Sequence, residues 1–312
     1  MFYLLFALAY GTLFDIRGKR LKFLRNIVGY WMAGGFIFFF IFLVLILLNL
    51  AIGISPEYPI STGIAISTII IIYSYRHASK VFVKNISFYS DKISKKYTFV
   101  QLSDIHLGSN GKEEIEGILL AIKNLKYDFL VITGDLVDED YATKYDLEPL
   151  GQITTPIFYI TGNHEYYLRH SSFKDFLRGI NIIDNNDTKH IFEEIDIYGI
   201  DEKSDTGEVL DTLSLDNKRY SLCLMHEPKT KELEKAQERG IDLMLSGHTH
   251  NGQIFPFNLI VKVKFPYIKG DYTLGDMDIH VSQGTGTWGP KMRLGTSNEI
   301  TLITIEPKGF MH

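Results

Sequence analysis

The sequence predicts an α/β domain carried on an N-terminal membrane segment of helices, and three observations lead there. Residues 27–54 contain no charge. From residue 97 onward, short β-branched runs alternate with amphipathic helical patterns. The residues best able to bind cations or move protons sit just past the ends of those runs. A length of 312 residues suits one substantial domain with an appendage.

The chain opens on an apolar stretch, 1–14, whose length leaves open a third span, an interfacial helix or a signal-like segment. A cleavable signal carries its cations ahead of the apolar run, whereas Arg17, Lys19, Arg20, Lys22 and Arg25 follow this one, so retention is expected. Roughly 20 apolar residues cross a hydrocarbon core. The uncharged run 27–54 exceeds that, and its centre, 36–50, holds Asn49 as its sole polar residue. A loop with Ser55, Pro56, Glu57, Tyr58 and Pro59 leads to 60–75, apolar again apart from a few Ser, Thr and Gly. The two runs read as a helical hairpin, and residues 1–76 as an anchor of two to three apolar spans.

Charge sets the orientation. The five cations at 17–25, and Arg76, His77, Lys80 and Lys84, flank the hairpin, while its loop carries only Glu57. The positive-inside rule places both basic ends, and the domain beyond them, on the cytoplasmic side of the inner membrane. Residues 1–96 hold 11 Lys and Arg against 3 Asp and Glu; the rest hold 21 against 34. A basic anchor suits a lipid bilayer with anionic headgroups, and an acidic domain sets sequence-independent nucleic-acid binding aside. The single cysteine, Cys223, allows no intramolecular disulfide and reads as core packing within an apolar run.

Residues 77–96, rich in Lys and Ser, read as a linker, and 97–312 as the folded domain. Strands are expected at 97–102, 129–133, 156–161, 220–225 and 241–245. Ile115, Ile118, Leu119, Ile122 and Leu125 mark a helix over 113–126, and the charge-rich 231–239 a second one with a solvated face. The stretch 255–267 alternates Ile260, Lys262 and Lys264 with Val261, Val263 and Phe265, the pattern of a half-buried strand; the other reading is a lip that touches lipid.

The loops carry the chemistry. The first strand ends in Asp104 and His106, the second in Gly134 and Asp135, the third in Gly162, Asn163, His164 and Glu165, a later one in His226 and Glu227, and the next in Gly247, His248, Thr249 and His250. In open α/β sheets ligands gather at the carboxyl ends of strands, so five loops would meet at one place. Carboxylate, imidazole and amide oxygen suit a divalent metal, and thiolates are absent from the set. Seven candidates are too many for one ion but suit two that share a carboxylate and a water. His164, next to a ligand and not needed as one, is placed to stabilise or protonate a leaving oxygen.

These residues resemble the calcineurin-like metallophosphoesterase superfamily over about residues 97–306. The resemblance implies a four-layer fold, two packed mixed β-sheets flanked by helices. It also implies two divalent ions, Mn foremost with Mg, Fe or Zn as alternatives. Asp104, His106, Asp135 and His250 would hold one, Asp135, Asn163, His226 and His248 the other, with His164 the catalytic histidine. The protein-phosphatase branch usually follows the bridging aspartate with Asp-Arg-Gly; here Leu136, Val137 and Asp138 follow Asp135.

Gly284, Gly286, Thr287, Trp288, Gly289, Pro290, Arg293 and Gly295 are similar to the closing loop of membrane-associated bacterial members, and among members with such anchors the chain resembles the UDP-2,3-diacylglucosamine pyrophosphatases of lipid A synthesis. That implies hydrolysis of a lipid-linked diphosphate to UMP and 2,3-diacylglucosamine 1-phosphate, with Arg293 as a phosphate clamp; Arg293 also reads as a surface residue or an ion-pair partner. The rivals are a general membrane phosphodiesterase or phosphatase acting on nucleotides or envelope phospholipids, and a membrane scaffold that has lost catalysis.

Overall fold

A computed structural model of the chain describes residues 22–53, 57–168, 177 and 180–310. The stretch 1–14 and the cations Arg17, Lys19 and Arg20 lie outside the described residues.

Helices α1 (Lys22–Ile52) and α2 (Glu57–His77) pack as a hairpin. Among the described residues α1 is the one helix long and apolar enough to cross a membrane. Only 6% of its most apolar window is buried, so Phe39, Val44, Leu47 and Leu50 fill no protein core, and a bilayer is the surrounding that suits them. The second helix is less apolar, with Ser61, Thr62, Ser67, Thr68 and Ser74 along it.

The first turns of α1 are docked on the domain. Arg25, nearly buried, pairs with Glu139 at 2.8 Å and donates to Tyr141 Oη at 2.9 Å. Lys22 Nζ donates to the Gly108 carbonyl at 2.7 Å. Higher up, Ala33 and Ile37 pack with Ile254 and Met292. Two of the cations that precede the apolar run therefore hold the domain.

The hairpin leads directly into strand β1 (Val81–Ser90). The segment expected as a linker is thus partly sheet. It was obscured because the strand lies at a sheet edge with one face in water, where Lys84, Asn85 and Ser87 are tolerated and a lysine discourages further pairing. The chain continues through β2 (Tyr97–Leu102), α3 (Lys112–Ile122), β3 (Phe129–Thr133), the short α4 (Lys144–Leu147), β4 (Ile157–Ile160), β5 (Ile182–Asp184), β6 (Thr188–Phe192) and β7 (Ile195–Gly199). Then come α5 (Thr206–Leu213), β8 (Tyr220–Leu224), α6 (Thr230–Glu238), β9 (Leu243–Ser246), α7 (Phe257–Lys264), β10 (Gly270–Leu274), β11 (Met277–Val281) and β12 (Asn298–Pro307).

Two six-stranded sheets result, ordered β1-β12-β2-β3-β4-β5 and β10-β11-β9-β8-β7-β6. Each is mixed. β2, β3, β4 and β5 run parallel, as do β7, β8, β9 and β11, while β12, β6 and β10 introduce antiparallel pairs. Phe99, Phe129 and Phe158 of the first sheet meet Ile197, Leu222 and Leu245 of the second in a dry layer between them. Each such side chain, fully buried, contributes about 1.5–3 kcal/mol. The outer face of the first sheet is covered by α3 through Ile115, Ile118 and Ile122. That of the second is covered by α5 and α6 through Leu210 and Leu233. This is the expected arrangement of two packed mixed sheets flanked by helices.

Residues 257–264 are a helix, not the half-buried strand that the alternation suggests. Phe257, Val261 and Phe265 recur at helical spacing and line one cleft. The neighbour α7 finds is Phe36 of α1, its ring 6.1 Å from that of Phe257.

Replacing Arg25 by Ala leaves the Glu139 carboxylate buried beside the domain without its cation. Removing one partner of a buried pair costs about 3–5 kcal/mol. The expected outcome in detergent is a melting temperature lowered by several degrees, with Glu139→Gln falling less; an unchanged melting temperature for Arg25→Ala would show that the pair is solvated.

Candidate metal centre

The loops after β2, β3, β4, β8 and β9 converge at one edge of the paired sheets, as parallel strands in register require. Asp104, His106, Asp135, His226 and His250 are buried there, with Asn163, His164 and His248 at the rim. Donor atoms fall into three overlapping groups, Asp104 with His106 and His250, Asp135 with His226 and His248, and His106 with Asp135 and His164. Asn163 Oδ1 lies 2.9 Å from His248 Nδ1 and 3.2 Å from His226 Nε2. All eight residues named from the sequence around the ligand set therefore come together.

The backbone is bent to bring them there. Asp104, His106, Asp135, His248 and His250 all have positive φ, between 47° and 69°. Such conformations cost a non-glycine residue about 1 kcal/mol or more and cluster where a site requires them. Two glycines make the close approach feasible. A Cβ on Gly134, itself at φ 89°, would sit 2.4 Å from His226 Nδ1. One on Gly247 would sit 1.9 Å from Ser103 Oγ and 2.5 Å from Asp104 Oδ2.

The donor set fits divalent cations. The His226 Nδ1–H donates to the Thr133 carbonyl at 2.8 Å, which turns Nε2 toward the cluster. There it faces Asn163 Oδ1 and Asp135 Oδ2, each at 3.2 Å. His106 Nε2 and His250 Nε2 face one another at 3.0 Å. His106 Nε2 stands 3.8 Å from Asp135 Oδ2, and His250 Nε2 stands 3.5 Å from Asp104 Oδ1, both too long for hydrogen bonds. Carboxylate oxygens, an amide oxygen and imidazole nitrogens converging at these spacings are the donor set that divalent cations take.

Burial and mutual charge shift these groups strongly. Burial raises the Asp104 carboxyl, and Asp135 adds to this, against the pull of His226 and His106. Burial would raise Asp135 too, but His226, His164 and His106 hold it well below the carboxylate range. For His226, burial lowers and the two aspartates more than reverse it, leaving it well above the imidazole range. His248 falls to about 3 through burial and the charge of His226, and His250 falls well below 6.5 through burial and Arg293. Neutral imidazoles are the form that ligates. Burial lowers His164 to about 4, against the pull of Asp135.

Arg293 does not reach the cleft, and the clamp reading is corrected. It is fully buried. Its Nε donates to Asn298 Oδ1 at 2.8 Å, Nη1 to the His250 carbonyl at 2.9 Å and Nη2 to the Gly286 carbonyl at 2.6 Å, with His250 Nδ1 at 3.2 Å. Burial lowers it to about 10, so it stays a cation at neutral pH. It braces the loop of His250 from behind.

Three further residues support the cluster. Glu165 accepts from the backbone N–H groups of Asp135 at 3.1 Å, Val137 at 2.9 Å and Gly162 at 2.7 Å, fastening two ligand loops together. Burial and the Asp135 charge raise its carboxyl to about 7. Asp138 stands 3.4 Å from His106 Nδ1, and Ser103 Oγ donates to Asp104 Oδ2 at 2.6 Å. The signal for Glu165 was present, an acid directly after Asn163 and His164. Asp138 and Ser103 carried none apart from adjacency.

A cleft of about 490 Å³ opens on the cluster. His106, Asp135, His164, His248 and His250 line one end. Gly29, Met32, Ala33 and Phe36 of α1 line the other, with Phe257, Val261, Trp288 and Pro290 between.

Residues 97–252 match the family of calcineurin-like phosphoesterases. The chain is similar to an uncharacterized metallophosphoesterase of Campylobacter jejuni, 34% identical over 264 residues, covering 78% of this chain and 69% of that one. It is similar to one of Aquifex aeolicus, 30% identical over 260 residues, covering 77% and 98%. A transmembrane protein with a metallophosphoesterase domain from Bos taurus is 31% identical over 234 residues, covering 66% and 52%. The chain thus spans about two thirds of the Campylobacter relative and about half of the bovine one. This chain belongs to the calcineurin-like metallophosphoesterases. It is a metal-dependent hydrolase of the metallophosphoesterase fold, and its apolar helix, with transmembrane relatives, marks it as membrane-associated.

Replacing Glu165 by Ala orphans three backbone donors beneath Asp135. Loss of groups that orient ligands typically costs 10–100-fold in metal affinity. A titration with Mn is expected to show a drop of that size while the circular dichroism spectrum keeps its shape; unchanged affinity would remove Glu165 from the site.

Proposed function

We propose that the protein hydrolyses a phosphoester or diphosphate bond of a lipid-linked substrate at the cytoplasmic face of the membrane, using two divalent ions. One observation carries this reading: the cation-binding cluster and the membrane helix line the same cleft. A water-soluble ester has no use for a wall built from Met32, Ala33 and Phe36, whereas an acyl chain does. The basic residues at 17–25 and 76–84 support the cytoplasmic orientation.

Asp104, His106, Asp135 and His250 would hold one ion, and Asp135, Asn163, His226 and His248 the second. When bound, the ions supply a hydroxide nucleophile at neutral pH and neutralise the phosphate oxygens. The chain's own residues do the rest. Thr133 fixes the tautomer of His226, Asp138 orients His106, and Arg293 with Glu165 keeps the ligand loops in place. His164, lowered to about 4, is neutral at pH 7. Its N–H therefore stabilises a leaving oxygen by hydrogen bonding, and does so from pH 5 upward without a change of state.

UDP-2,3-diacylglucosamine is the first substrate to test. Its diphosphate suits the ions and its two acyl chains suit the apolar wall. A general phospholipid phosphodiesterase is the second reading, favoured by the chemistry of the cleft's middle section, Phe257, Val261 and Trp288, which suits a chain of any lipid.

The protein in nanodiscs with Mn is expected to cleave UDP-2,3-diacylglucosamine far faster than UDP-glucose or bis-nitrophenyl phosphate. Equal rates on all three would overturn the lipid reading, and faster cleavage of a plain phospholipid would select the second. His164→Ala is expected to lower kcat about 10²–10⁴-fold while metal content stays at two ions per chain.

A further inference from the structure

The geometry points to a second membrane contact: α7 and the turn before it lie in the same leaflet as the near end of α1, against anionic lipid, and form the bilayer-side lip of the cleft. The proposal rests on α1 spanning the membrane.

α7 has no buried residue, and its outward face is apolar. Phe255, Leu259 and Ile260 are each more than half exposed, and Val263 is 87% exposed. On a protein surface in water that is a contiguous apolar patch without a cover. Lys262 and Lys264 close the helix and are the only charges on it. Two residues apart, the lysines lie on opposite flanks of the outward face, where their long stems let the charges reach headgroups while the apolar face sits about 5–10 Å below them.

Two rulers place the bilayer at this level. On α1 the residues buried by protein stop at Ile37. From Phe36 to Ile52 the helix rises about 24 Å at ~1.5 Å per residue, short of the ~30 Å of a hydrocarbon core. Tilt only increases the shortfall. The bilayer boundary must therefore pass on the domain side of Phe36, the residue whose ring meets Phe257.

The second ruler is α2. It packs along α1, and the uncharged stretch of its sequence ends at Arg76, a cation that suits the same near boundary. Beside it, Tyr75 packs its ring 6.1 Å from that of Tyr30. Tyrosines are enriched at that boundary. Tyr30 precedes Phe36 by about 9 Å along α1, which sets Phe36 and α7 just below the headgroups. Phe257 and Val261 then face the cleft while Leu259, Ile260 and Val263 face lipid, so a substrate's acyl chain reaches the site without leaving apolar surroundings.

The test labels the full-length chain in nanodiscs of zwitterionic and anionic phospholipid. Cys223 is fully buried, so an environment-sensitive fluorophore goes to an introduced cysteine. Val263→Cys and Leu259→Cys report the lip; Leu120→Cys, 73% exposed on α3, is the water control. The expected result is a blue-shifted emission at both lip positions, quenched at least threefold more by acyl-chain quenchers than the control and less by aqueous iodide. Lip labels that behave like Leu120→Cys would overturn the proposal. A lipid-quenched lip in an enzyme that cleaves only soluble esters upholds the contact and defeats the lipid substrate; a water-exposed lip in an enzyme that cleaves lipid phosphates does the reverse.

Discussion

Two carboxylates held out of water govern this molecule. Asp104 and Asp135 are buried where five loops meet, ringed by imidazoles: His106 on the loop of Asp104, and His164, His226, His248 and His250 on other loops. Ionised carboxylates in such a place are costly unless cations share the space. The strained backbone at both aspartates and at His106, His248 and His250, the glycines that let loops touch and the carboxylate of Glu165 beneath are the means by which the chain holds that arrangement.

The membrane helix is part of the same construction. Arg25 pairs with Glu139, the neighbour of Asp138, and Asp138 faces His106 Nδ1. Between a cation at the foot of α1 and a ligand of the cluster there are two adjacent acids on one loop. Ser109 N also donates to Asp138 Oδ1 at 2.9 Å, and Lys22 holds the carbonyl of Gly108. The first turns of α1 thus fix the loops beside His106 as well as tethering the domain.

The parts of this design that were legible in the sequence were those written in local chemistry. Strands β2 and β3 were legible to the residue because their apolar runs are buried on both faces and end in Asp or Gly. The ligand loops were legible because carboxylate, imidazole and amide recur directly after such strands. β1 was not, because an edge strand with one wet face has the composition of a linker. α7 was misread because an apolar run broken by Lys262 and Lys264 satisfies a period of two and a period of 3.6 alike. Arg293 was misread for a different reason: a cation after a glycine-rich loop looks like a phosphate binder, and only tertiary packing shows its donors taken up by Asn298 and by the carbonyls of His250 and Gly286. Contacts between α1 and the loop at 138–141 are separated by more than a hundred residues and have no local signature.

An apolar cleft that begins at a membrane helix and ends at a cation-binding cluster also addresses an energetic problem that any hydrolase of lipid phosphates must meet. Exposing an acyl chain to water costs about 0.8 kcal/mol per CH₂, so a chain of ten carbons lifted clear of the bilayer would cost ~8 kcal/mol, more than most binding sites recover. For the proposed lipid substrate, with Phe36 and Phe257 just below the headgroups and the imidazoles lining the same cleft, an acyl chain would exchange lipid neighbours for Met32, Ala33 and Val261 while the phosphate alone changed surroundings. The headgroup would then leave water for a cluster of charges that replaces its hydration. A site at the membrane, and not above it, would keep the apolar part of that transfer close to neutral and leave the binding energy of the phosphate for the reaction.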